Sequence, residues 1–126
     1  MRLNHLDLQV SDVYAARAFF ETHFGLECIY QRGPEIALFG DDTGFSFGVS
    51  DLRGQTSPPV YPPDFHIGFV LEDAPQVEAA YHRLVGAGVE VRSPPREGGP
   101  NLYFMCLGPD GLLIEVRGPK RGQESP

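Results

Sequence analysis

The chain has 126 residues, 41% of them apolar, a size and composition at which one domain with its own core is expected. Seventeen acidic residues against ten basic ones leave a net charge of −7, which excludes nucleic acid as a partner because phosphate binding needs clustered Lys and Arg. No run of about 18 apolar residues is available to cross a bilayer, so no membrane partner is expected.

The opening MRLNHLDLQV alternates where a secretory signal would carry an apolar block, so the fold is expected to start at Met1. Two cysteines, Cys28 and Cys106, are too few for a disulfide framework and point to a reducing cytoplasm. Residues 3–10 put Leu6, Leu8 and Val10 on one face and His5, Asp7 and Gln9 on the other, the pattern of a half-buried strand. Ser11 is placed to cap the next helix, in which Val13, Ala16, Phe20 and Phe24 recur every three or four residues until Gly25 stops it. Strand-like runs follow at 26–31, 35–39 and 44–50, divided by Arg32-Gly33-Pro34 and Asp41-Asp42-Thr43 turns. The unit reads β-α-β-β-β.

Four prolines in 51–64 mark a linker, since each removes a ladder donor and restricts the residue before it. Residues 65–72 then alternate again, and Asp73 with Gln76 makes a capping-box-like start. Val77, Ala80, Leu84 and Val85 form a helical stripe closed by Gly86-Ala87-Gly88. Strand-like runs at 89–92, 102–107 and 112–117 complete a second unit. Gly98-Gly99 reads as a flexible loop, and 119–126 as a flexible tail.

The halves superpose. His5-Leu6-Asp7-Leu8-Gln9-Val10-Ser11-Asp12 overlays His66-Ile67-Gly68-Phe69-Val70-Leu71-Glu72-Asp73, and Gly25-Leu26-Glu27 overlays Gly88-Val89-Glu90. The last hairpins match as Gly40-Asp41-Asp42-Thr43-Gly44 with Leu107-Gly108-Pro109-Asp110-Gly111, which sets Gly48 opposite Glu115. The four equivalent positions hold His5, Gly48, His66 and Glu115. Strand parity turns them all to the concave face of a curved sheet, away from the helices. Two imidazoles and a carboxylate form a donor set for one divalent ion with open positions, Fe or Mn being favoured and Ni, Co or Zn also accommodated. Gly48→Glu is expected to supply a fourth ligand and tighten binding.

Ser46 and Gly48 share that face and are candidate substrate-binding positions, as is Arg117, whose guanidinium suits an anionic group. Tyr103 is a candidate catalytic proton donor, and Cys106, of opposite parity, is expected to be a buried thiol. His23 and His82 fall on helices and read as surface residues.

The paired units, with NHLDLQVSD opening one half, HIGFVLED the other and GPDGLLIEV near the end, resemble the vicinal oxygen chelate superfamily of glyoxalase I, extradiol dioxygenases, fosfomycin-resistance transferases and bleomycin-resistance proteins. The resemblance implies one α+β domain over 1–118, a half-barrel cleft of tandem βαβββ units (1–50 and 65–118), with metal ligands on the first and last strands of each unit: His5, His66 and Glu115. Glyoxalase I carries a fourth ligand where Gly48 stands, which disfavours that activity. Extradiol dioxygenases place a tyrosine where Met105 falls, with Tyr103 two residues away as a substitute. The fosfomycin enzymes carry a threonine where Asp7 stands, and a carboxylate there repels an anionic phosphonate. Bleomycin-type binding proteins need no metal ligands, and the acidic balance suits a cationic drug.

What the resemblance implies is a metal-dependent enzyme, a dioxygenase, lyase or isomerase, in which the ion chelates neighbouring oxygens of a small substrate. The competing reading is a metal-free module that sequesters a small molecule. One β-α-β-β-β unit makes half a cup, so units pair within a chain or across a two-fold axis. The resemblance implies the latter, a homodimer with sites shared between chains, and an extended 51–64 segment at roughly 3 Å per residue reaches about 40 Å, enough to permit it.

Overall fold

The structure, a computed structural model, describes residues 1–124; of the tail expected to be flexible, residues 125 and 126 lie outside the described residues. The chain divides into two compact units, Met1–Val60 and a second that begins at Tyr61. Each contains one helix and a four-stranded mixed sheet, the α+β repeat expected from the overlay.

In the first unit the order is β1 (His5–Gln9), α1 (Val13–Phe24), β2 (Cys28–Arg32), β3 (Ile36–Gly40) and β4 (Ser46–Ser50). The strands lie as β1-β4-β3-β2, with β1 parallel to β4 and the other pairs antiparallel. Leu8 and Val10 turn into the core while His5, Asp7 and Gln9 stay exposed. The helix buries Phe20 completely, its ring 5.1 Å from that of Phe47 and 5.9 Å from that of Phe39. Truncating such a ring to Ala costs about 3–5 kcal/mol.

The cap of α1 differs from expectation. Asp12, not Ser11, is the N-cap, its Oδ1 accepting from the Ala15 amide at 3.0 Å. The helix starts at Val13, so the side chain able to reach the third helical N–H is that of residue 12. Gly25 ends the helix at φ 66°, the left-handed conformation that glycine adopts without a Cβ penalty.

In the second unit β5 (His66–Val70) leads to α2 (Ala74–Gly86), β6 (Arg96–Gly98), β7 (Asn101–Leu107), a 3-10 turn (Pro109–Gly111) and β8 (Leu113–Pro119). The sheet order is β5-β8-β7-β6, again with the first strand parallel to the last. Asp73 caps α2 by accepting from the Gln76 amide at 2.9 Å, and Gln76 Oε1 accepts from the Glu72 amide at 3.0 Å. Val77 and Leu84 of the helix, with Phe104, Cys106, Ile114 and Val116 of the sheet, are buried in this unit's core.

The strand expected at 89–92 is reduced to one bridge, Val91 with Cys106, flanked by bonds from the Arg92 amide to the Met105 carbonyl and from the Leu107 amide to the Glu90 carbonyl. Pro94 and Pro95 interrupt the edge because they bring no N–H to the ladder. Pairing resumes at β6, so Gly98 is a strand residue and Gly99, at φ 56°, makes the turn.

The two units share one register. Asp7 pairs with Gly48 across β1 and β4, and Gly68 pairs with Glu115 across β5 and β8. The bond from the Val10 amide to the Ser50 carbonyl recurs as that from Leu71 to Arg117. No helix among the described residues is long and apolar enough to cross a membrane.

Candidate metal centre

In the second unit His66 opens β5 and Glu115 lies in the middle of β8, opposite Gly68. Since Gly68 has no side chain, Glu115 extends over it, Oε2 lying 3.9 Å from where a Cβ would stand. His66 Nδ1 is 2.9 Å from the carbonyl oxygen of Asp64. A carbonyl only accepts, so Nδ1 is a donor, and in the neutral ring the lone pair is on Nε2. Metal-binding imidazoles are held this way, the far nitrogen fixed by an oxygen acceptor. Asp64 itself sits at φ 65°, a left-handed conformation that Asp tolerates better than most residues. Arg117 Nη1 lies 3.7 Å from Glu115 Oε2, the arginine side chain 53% exposed and the glutamate 20%. His66, Gly68, Val70, Glu115 and Arg117 line a concavity of about 380 Å³.

The first unit repeats the histidine. His5 Nδ1 is 2.7 Å from the side-chain oxygen of Asn4, so in the neutral ring its lone pair is likewise on Nε2. Ser46 pairs with His5 and is half-buried. Gly48 is buried under Asp7 Oδ1 and Leu38 Cδ2, 2.8 and 2.9 Å from where its Cβ would stand. Ser50 Oγ donates to Asp7 Oδ2 at 2.6 Å. Asp7, Gln9 and Ser50 line a concavity of about 350 Å³, at positions equivalent to Gly68, Val70 and Arg117. The space above Gly48 is therefore not an empty ligand position: a glutamate placed there would meet a carboxylate already present.

Among the described residues no three His, Cys, Asp or Glu side chains come together as a metal-binding group. The expected ligands are divided, His5 in the first unit and His66 with Glu115 in the second. The family model of the Glyoxalase/Bleomycin resistance protein/Dioxygenase superfamily matches residues 2–116. The chain belongs to this superfamily. Members commonly use divalent metals, often form dimers and bind small molecules. The chain is 31% identical over 121 residues to uncharacterized protein PA2024 of Pseudomonas aeruginosa, covering 90% of this chain and 85% of that one. A possible glyoxalase from Bacillus cereus shares the fold with a TM-score of 0.79 and 38% identity, over 92% of this chain and 97% of the other. The genomically encoded fosfomycin resistance protein FosX of Listeria monocytogenes, 22% identical, matches with a TM-score of 0.75 over 98% and 97% of the two chains and attests the fold alone.

Within this superfamily fold, register places Met105 opposite Glu115 and Tyr103 opposite Arg117. The alternate residues Phe104 and Cys106 are buried. Tyr103 is anchored: its hydroxyl accepts from Arg96 Nε at 3.0 Å and the guanidinium stands 5.3 Å from its ring centre. That leaves the phenolic proton to donate. Burial pushes the Cys106 thiol up to about 11, so it stays protonated at neutral pH, as expected of a core sulfur. Reading the sequence missed Asn4 and Asp64 as the groups that orient the histidines and Ser50 as the partner of Asp7. The available signal was a polar residue one or two places before each histidine.

Proposed function

We propose that the protein is a divalent-metal-dependent enzyme acting on a small oxygen-chelating substrate, with His5, His66 and Glu115 as ligands and each site shared between the chains of a homodimer. The observation that carries this reading is the matched pair of histidines, each opening its unit's first strand with Nδ1 bonded to an oxygen acceptor and Nε2 left to coordinate. The donor set suits Fe or Mn, with Ni, Co or Zn accommodated. A bound ion would supply a Lewis acid to two neighbouring oxygens of the substrate. Around it, Arg117 attracts an anionic group, Ser46 offers a hydroxyl, and Tyr103, steadied by Arg96, holds a transferable proton at Oη. Gly48 contributes by leaving its space to Asp7. The reaction class lies among dioxygenase, lyase and isomerase, and two unbridged cysteines fit work in the cytoplasm.

The test is elemental analysis after reconstitution with Fe, Mn, Ni, Co and Zn in turn. About one ion per chain is expected, lost in His66→Ala with an unchanged far-UV circular dichroism spectrum. A chain that takes up none of these ions would instead be a metal-free small-molecule-binding module.

A further inference from the structure

The first unit lacks a carboxylate at residue 48 but carries one directly across the strand pair, at Asp7. In the second unit the arrangement is reversed, glycine at residue 68 on the first strand and Glu115 on the last. In both, the carboxylate extends over a glycine: Asp7 Oδ1 lies 2.8 Å from the Cβ position of Gly48, and Glu115 Oε2 lies 3.9 Å from that of Gly68. In both, it meets a polar group at the same last-strand position, Ser50 Oγ at 2.6 Å from Asp7 and Arg117 Nη1 at 3.7 Å from Glu115. The carboxylate stands on the first strand in one unit and on the last strand in the other, across from a glycine in each.

We propose that Asp7 is a fourth protein ligand of the ion, coordinating through Oδ1; this rests on the metal-binding reading above. Asp7 follows His5 by two residues on β1, so both side chains stand on one face about 7 Å apart along the strand, a spacing from which an imidazole and a short carboxylate converge on one ion. Ser50 engages Oδ2 and fixes the carboxylate rotamer, while Oδ1 accepts no hydrogen bond among the described residues. A Cβ on Gly48 would stand 2.8 Å from Oδ1 and 2.9 Å from Leu38 Cδ2, so a side chain there would displace the carboxylate from this place. Two neutral imidazoles and two carboxylates balance a divalent charge and leave two positions of an octahedron for a chelating substrate, the preference of Fe, Mn, Ni and Co rather than of tetrahedral Zn.

Equilibrium dialysis and visible absorption with Co(II) test this in the dimeric protein. Asp7→Asn keeps the size of an exposed side chain and is expected to retain the fold, to weaken Co(II) binding by roughly 10- to 100-fold or more and to alter the ligand-field bands; Ser50→Ala is expected to weaken it by roughly 10-fold through loss of orientation. Unchanged affinity in Asp7→Asn would overturn the assignment. So would weaker binding with unchanged bands, because that is the signature of a charge acting at a distance. Failure of the underlying reading is separable: His66→Ala would then bind Co(II) as tightly as the parent.

Discussion

The two units carry the same strand pair, the same register and a histidine at the same place, yet they differ in which strand bears the carboxylate. Asp7 on the first strand faces Gly48; Glu115 on the last strand faces Gly68. The fit is close only in the first unit, where a Cβ on Gly48 would stand 2.8 Å from Asp7 Oδ1; the Cβ position of Gly68 stays 3.8 Å or more from Glu115. Each unit thus sets a carboxylate across the strand pair from a glycine, the first unit from its first strand and the second from its last. On the proposal above, the carboxylate missing at residue 48 is supplied from the neighbouring strand by Asp7.

The largest expected effect concerns how the units combine. Mixing His5→Ala with Glu115→Ala protein under conditions that exchange subunits should restore one intact metal site per heterodimer, read as recovered metal content. If each site lay within one chain, both halves of the mixture would stay empty. A smaller effect separates glycines kept for packing from those kept for the site. A Cβ on Gly118 would stand 3.0 Å from the Leu71 carbonyl and 3.3 Å from that of Asp73, and backbone cannot yield as a side chain does. Gly118→Ala is expected to cost about 1–3 kcal/mol in urea unfolding. Gly68→Ala meets nothing closer than 3.8 Å and should stay within about 0.5 kcal/mol. Equal costs for the two would contradict this division.

Most of the architecture was legible because it rests on periodicities. Period 2 in residues 3–10 and the stripe Val13-Ala16-Phe20 exposed the strand and helix, and repetition of His and Asp at matched spacing exposed the tandem units. The overlay even paired Asp12 with Asp73, the two residues that cap the helices, although Ser11 was the cap expected from residue type. The strand at 89–92 failed because composition does not show where two prolines divide an edge. Asp7 was legible only as a charge that would repel a phosphonate. Its relation to Gly48 depends on β1 and β4 being parallel neighbours, which no local pattern reveals.

The proposal that both units coordinate one ion through Nε2 is tested most directly by long-range proton–nitrogen correlation NMR of the histidine rings during a zinc titration. The chain has four histidines, so all rings can be followed at once. His5 and His66 should shift together at Nε2, saturating at one zinc per chain, with Nδ1 remaining the protonated nitrogen and His23 and His82 unmoved. Coordination through Nδ1, or a shift of only one of the pair, would overturn the shared site.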